Sequence, residues 1–229
     1  MPFTEIQGAA SILRSMLIDL SHPLESGAPS FPGDPDYQAT PHASHEKDRL
    51  SVTRLTMGSH QGTHLDAPYH FYADGKKIDE MPLEPFLGPA RLLDLAPGGE
   101  IPANTELDVD IFSAHEEFFQ PGARVIFRTG WEKQFGTTTF FTDFPSMTPA
   151  AAEWISKTGI SLIGMDLPSP GRDAWGTHLP LLKPGVEIVI VEALRNLHRL
   201  PETFTLSAFP INLKGMDGAP VRAIAIIDE

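Results

Sequence analysis

Proline sets the first limit on how this chain folds. There are 22 prolines among 229 residues, spread from Pro2 to Pro220 rather than gathered in one stretch. Each one locks φ near −65°, lacks a backbone donor and steers the preceding residue away from helical angles. Long helices are thereby excluded over most of the sequence, and the intervals between prolines must hold short elements. Those intervals carry brief apolar, β-branched runs at 16–20, 51–57, 90–95, 123–128, 160–165, 187–191, 204–213 and 221–227. Their length and the glycines and prolines around them predict strands. Helical signals are fewer. Thr148 as N-cap, Pro149 in the first turn and Gly159 as a stop predict a helix over 148–155. Residues 107–119 and 192–200 are two further helical candidates. Many strands with two or three helices predict an α/β fold, a mostly β, barrel-like mixed sheet with a few outer helices, in one domain spanning 1–229.

Composition removes several function classes. The chain has 30 acidic and 17 basic side chains, a net charge of −13 and no cysteine. Disulfides, thiolate nucleophiles and Cys-ligated zinc are therefore excluded. The largest basic cluster is the pair Lys76–Lys77, and the acidic surplus argues against a nucleic-acid partner. No apolar run approaches the roughly 18 residues of a membrane span, and the N-terminal segment lacks a signal-peptide pattern. A cytoplasmic protein is expected.

Chemistry concentrates in Ser59-His60-Gln61-Gly62-Thr63-His64-Leu65-Asp66-Ala67-Pro68-Tyr69-His70. His60, His64, Asp66 and His70 share one parity, so an extended chain presents them on one face. Imidazole and carboxylate are the donors that zinc or manganese accepts when thiolate is absent. Six extended residues span about 20 Å, too far for His60 and Asp66 to reach one ion through bonds of about 2 Å. The chain must bend, and Gly62 is the residue suited to the bend. His22, His42, His45, His115 and His198 lack such neighbours and are read as structural. The sequence holds no G-x-S-x-G elbow, P-loop, G-x-G-x-x-G or H-E-x-x-H, and Ser169 near Asp166 is read as a turn residue.

The segment from His60 to His70 resembles the H-x-G-T-H-x-D-x-P-x-H signature of the cyclase family, which contains bacterial kynurenine formamidases and isatin hydrolases. Further likeness lies in Asp19-Leu20-Ser21-His22-Pro23-Leu24 with Phe31-Pro32-Gly33-Asp34, in Gly164-Met165-Asp166-Leu167-Pro168-Ser169, in His178-Leu179-Pro180 with Val191-Glu192-Ala193-Leu194, and in Gly218-Ala219-Pro220-Val221-Arg222-Ala223. The resemblance implies that His60, His64 and Asp66 are metal ligands and that His70 is the catalytic proton donor and acceptor. It also implies that His178 and Glu192 complete the site, with Asp66 and Glu192 able to bridge two ions, zinc or manganese. A carboxylate at Glu192, where some isatin hydrolases have an amide, favours zinc or a two-metal site. Phe31 stands where kynurenine formamidases carry a substrate-stacking tryptophan, and Ala193 where Asn or Gly is usual. The implied assembly is a homodimer or homotetramer.

The expected activity is metal-dependent hydrolysis of the C–N bond in a small cyclic or aryl amide. The ion would polarise the carbonyl and bring the pKa of water to about 7, and His70, ordinarily titrating near 6.5, would shuttle the proton. Phe31, Tyr69, Phe71 and Trp175 are candidates for a flat substrate's walls. A lactonase using the same site, or an inert metal- or small-molecule-binding protein, are the alternatives.

Overall fold

Residues 15–228 are described in the computed structural model of the chain. In chain order the strands are β1 (Met16–Asp19), β2 (Gln38–Ala43), β3 (Val52–Thr56), β4 (His64–Asp66), β5 (Leu87–Asp94), β6 (Glu106–Leu107), β7 (Arg124–Arg128), β8 (Ser146–Met147), β9 (Leu162–Met165), β10 (Val189–Glu192), β11 (Thr203–Ser207), β12 (Gly218–Pro220) and β13 (Ile224–Ile227). Among the described residues five short helices accompany them: α1 (His45–Asp48), α2 (Val109–Ser113), α3 (Thr138–Thr142), α4 (Pro149–Ile155) and α5 (Ala174–Leu182). None of these helices is long and apolar enough to cross a membrane.

Nine strands make one sheet in the order β1-β13-β11-β5-β7-β9-β10-β4-β12. The central pairs β5–β7, β7–β9 and β9–β10 run parallel, and the flanking pairs are antiparallel. The sheet curls on itself. Just past β1, Ser21 bridges to Leu194 just past β10, and the Arg195 amide donates to the Leu20 carbonyl at 3.0 Å. The mixed, barrel-like core expected from the run lengths is what forms.

Side-chain alternation along the strands divides the interior into two cores. Inside the curl, Leu65, Ile126, Leu162, Val191, Leu194, Leu206 and Ala225 pack together. On the outer face, Val125, Phe127, Ile163, Met165 and Ile190 meet α4, α5 and a set of aromatics that includes Phe112, Phe140 and Phe144. Leu65 and Val191 point inward, so their neighbours His64, Asp66 and Glu192 must point outward toward α5. This parity decides where the polar groups meet.

α4 starts as expected, with Thr148 Oγ1 accepting from the Ala151 amide at 3.2 Å. Residues 107–119 give only α2 and a single 3-10 turn, Glu116–Phe118. The helix expected over 192–200 does not form. Glu192 ends β10, and Ala193 and Asn196 adopt left-handed angles, φ 52° and 61°, which an α-helix cannot contain. The expected strand 204–213 stops at Ser207.

Candidate active site

β4 and β10 lie side by side, with Asp66 opposite Ile190 and His64 opposite Glu192. His178 reaches the same face from the middle of α5. That helix forms despite Gly176 and Pro180, because Asp173 caps it by accepting from the Gly176 amide and because Leu181 and Leu182 bury their side chains. Gly62, at φ 61°, turns the chain between His60 and His64, the bend that the spacing demanded.

Four side chains, His64, Asp66, His178 and Glu192, converge on one point. His64 Nε2 lies 3.4 Å from Asp66 Oδ1 and 3.2 Å from Glu192 Oε2, and His178 Nε2 lies 3.5 Å from Asp66 Oδ2 and 3.4 Å from Glu192 Oε1. Two donors on one tetrahedral ion with bonds of about 2.0–2.1 Å sit roughly 3.3–3.4 Å apart, longer than a good hydrogen bond and the spacing seen here. Asp66 Oδ2 and Glu192 Oε1 are buried without a hydrogen-bond partner, a costly arrangement unless a cation serves them. The other nitrogens of the two histidines face backbone carbonyls: His64 Nδ1 meets Gly62 O at 2.9 Å and His178 Nδ1 meets Ala174 O at 2.8 Å. That outer contact fixes each ring so that Nε2 presents its lone pair. The donor set and its support therefore fit a divalent ion.

Electrostatics agree. Burial disfavours charge on these histidines, yet the carboxylates outweigh it, pushing His178 up to about 10 and His60 up to about 9 and holding His64 well above its usual value. For Asp66, burial is again opposed, by the His178 and His60 imidazoles beside it, and its carboxyl is held well below the ordinary range. Two buried carboxylates retain protons on their neighbours when no other cation compensates them.

His60 sits at the margin of the cluster, Nδ1 2.8 Å from Asp66 Oδ1. His70 occupies a 3-10 turn, Pro68–His70, its ring stacked at a tilt 3.9 Å from that of His60. Donor atoms of Asp66, His70 and His178 fall within 4.8 Å of one another, as do those of His60, His64 and Asp66. All six site residues expected from the sequence thus share one locus. A seventh was missed: Asp217, whose Oδ2 is 3.1 Å from His60 Nε2 and 3.7 Å from His70 Nδ1. It is one acid in a loop, 157 positions from its partner, and no local pattern marks it.

Beside this cluster opens a cavity of about 240 Å³, lined by His60, His64, His70, His178 and Glu192 on one side and by Phe31, Phe71, Phe135, Phe140 and Phe141 on the other. Phe31 and Phe71 are where the sequence expected them. Tyr69 and Trp175 do not line the cavity. Tyr69 carries Lys77 over its ring and Trp175 is largely exposed against Phe71. The aromatics that replace them come from 135–141, a stretch that carries no motif. His22 stays structural, stacked on Phe135 at 3.6 Å, and Ser169 donates to Gly171 O in a tight turn.

Comparison with known proteins agrees with this geometry. The putative cyclase family matches residues 18–172. A kynurenine formamidase of Bacillus mycoides is 35% identical over 216 residues, covering 92% of this chain and 97% of its own. Isatin hydrolase A from Labrenzia aggregata, solved with benzyl benzoate, superposes with a TM-score of 0.84 at 25% identity, covering 98% of both chains. A structure described as a predicted metal-dependent hydrolase from Bacillus stearothermophilus gives 0.76 at 27% identity over 93% of this chain and 98% of its own. With more than half its length matched by the family and a curated relative aligned nearly end to end, the chain belongs to the cyclase family and is an amidohydrolase.

Proposed function

We propose that this enzyme hydrolyses the C–N bond of a small, flat, uncharged aryl or cyclic amide. His60, His64, Asp66, His178 and Glu192 would hold one or two divalent ions, zinc or manganese, and His70 would move the proton. The observation that carries this reading is the pair of buried, partnerless carboxylate oxygens, Asp66 Oδ2 and Glu192 Oε1, both within ligand spacing of His178 Nε2. A divalent cation there supplies polarisation of the scissile carbonyl and acidification of water. The chain's own groups do the rest. The phenylalanine wall seats an aromatic ring and excludes water from it. His70, with Nδ1 turned toward Asp217, offers Nε2 to take a proton from the attacking water and return it to the leaving nitrogen.

Among the described residues, no lysine or arginine lines the cavity. A neutral fused lactam such as isatin therefore suits it better than an amino-acid amide, whose carboxylate would find no cationic partner. Metal analysis of purified protein, followed by turnover of isatin, N-formylkynurenine and simple lactones with zinc or manganese supplied, tests the proposal. Hydrolysis confined to lactones, or no bound metal, would refute it.

We also infer a homodimer. The β2–β3 hairpin has every strand residue exposed save the half-buried Ala43, including Val52 and Leu55, and a lone two-stranded hairpin is marginal in water. Residues 38–56 carry Lys47, Arg49 and Arg54 against Glu46 and Asp48, a slight basic excess on a chain of net charge −13. A second copy offers the exposed side chains of Leu83, Ile211 and Met216 and the acids Glu80 and Glu84 as apolar and acidic partners. Sedimentation of the wild type should give a dimer and of Leu55→Glu a monomer; a monomeric wild type would refute this.

A further inference from the structure

We propose that Asp217 is a positioning residue that sets the tautomer and aim of both His60 and His70, an inference resting on the metal-hydrolase reading above. The geometry is specific. Asp217 Oδ2 is 3.1 Å from His60 Nε2 and 3.7 Å from His70 Nδ1, while Oδ1 accepts from Ser59 Oγ at 2.9 Å. Its backbone is fixed as well. The Asp217 carbonyl accepts from the Ala67 amide at 2.9 Å, and the next residue, Gly218, pairs with Asp66 across β12 and β4. Gly218 is required for this closeness, since a Cβ there would lie 2.8 Å from His60 Cε1 and 2.7 Å from Leu65 O.

A carboxylate accepts only, so each imidazole nitrogen facing Asp217 must carry its proton. Without an ion His60 faces a carboxylate at each nitrogen, Asp217 at Nε2 and Asp66 at Nδ1 2.8 Å away, and holds both protons; a bound ion would displace only the Nδ1 proton, with Asp217 keeping the other on Nε2. His70 Nδ1, at 3.7 Å, is past direct hydrogen-bond length but within ion-pair reach of the same oxygen, which favours the proton on Nδ1 and the lone pair on Nε2 for proton transfer. With an ion bound, one oxygen thus gives two stacked rings opposite tautomers, which their different tasks require. Ligating histidines commonly have such an outer carboxylate; here the same group also aims the proton carrier.

The test uses Asp217→Ala and Asp217→Asn in the full-length protein. Asparagine keeps an acceptor oxygen for the two imidazoles and turns its amide N–H toward Ser59 Oγ, which can accept. Zinc affinity is read by chelator competition, independently of activity, and histidine tautomers by ¹⁵N NMR. kcat and KM are read on whichever amide the wild type cleaves. Asp217→Ala should bind zinc about 10–100-fold more weakly, show mixed tautomers at His60 and His70, and lose kcat with KM little changed. Asp217→Asn should recover most of both losses. Wild-type zinc affinity and tautomers in Asp217→Ala would overturn the proposal, and so would an Asp217→Asn as impaired as Asp217→Ala. A wild type that binds zinc but cleaves no amide would sink the hydrolase reading alone, since the zinc and NMR readings would still decide the role of Asp217.

Discussion

Glu192 Oε2 lies 3.2 Å from His64 Nε2, across the single strand pair that joins β10 to β4. A buried acid and a buried base at that spacing are close enough to pair, yet Glu192 Oε1 remains unsatisfied. Glu192→Gln keeps the shape of the side chain and removes one of two buried negative charges. Zinc affinity should fall by about 10–100-fold or more, in the range that even outer contacts command, as read by chelator competition. Unchanged affinity would remove Glu192 from the ligand set.

Metal-free protein should lose stability as pH rises. His60 and His178 titrate at about 9 and about 10 in the fold against 6.5 when unfolded. A raised folded value adds stability that is complete below the unfolded value and disappears as pH climbs through the folded one. The melting temperature in chelator should therefore drop between about pH 7 and 10. Zinc-saturated protein should lack that decline, because ligands bind the ion deprotonated, and zinc affinity should rise over the same window. Parallel melts with and without zinc check this.

Replacing His70 separates chemistry from binding. His70→Ala should lower kcat by roughly 10²–10⁴, the usual cost of losing a general acid–base group, with zinc content full. Steady-state kinetics and metal analysis on one preparation give both numbers.

Phe31 forms part of the aromatic wall and meets Phe141 edge-on at 6.0 Å. Phe31→Ala should raise KM for an aryl substrate by about 5–30-fold, from a lost aromatic contact worth about 1–2 kcal/mol, and leave kcat nearly unchanged. A fall in kcat alone would place Phe31 outside the binding wall.

Asp166 serves the fold. Buried at the end of β9, it accepts from the Thr129 amide and Oγ1 and from the Gly130 amide, at 2.9, 2.7 and 2.7 Å. Burial raises its carboxyl to about 6 despite those bonds. Asp166→Ala orphans these donors and should cost about 3 kcal/mol or more, at roughly 1–3 kcal/mol per unsatisfied group, as measured by urea unfolding with zinc present.

What could be read in advance followed the range of the interactions. His60, His64 and Asp66 were legible because three donors fall within seven residues and Gly62 stands at the obligatory bend. The strands β7, β9 and β10 were legible because burial on both faces makes their sequences continuously apolar. Glu192 and His178 carry no local mark, and only family likeness singled them out. α5 was hidden because Gly176 and Pro180 each argue against a helix, and tertiary packing of Leu181 and Leu182 overrides them. The helix expected at 192–200 failed on backbone angles at Ala193 and Asn196 that composition does not announce. Ala193 in a left-handed conformation also gives a physical reason for Asn or Gly at that position.

The curled sheet has a consequence for the order of assembly. β4 pairs with β12 on one side and β10 on the other, while His178 arrives on a helix from a third part of the chain. Residues 64, 178, 192 and 217 meet only after contacts of high sequence separation have closed, the slow class of folding event. Before that closure an ion meets only the local donors of His60, His64 and Asp66. The complete donor set exists only once the sheet has curled, so full-strength metal binding should follow folding in time, with protons on the histidines balancing the buried acids until then.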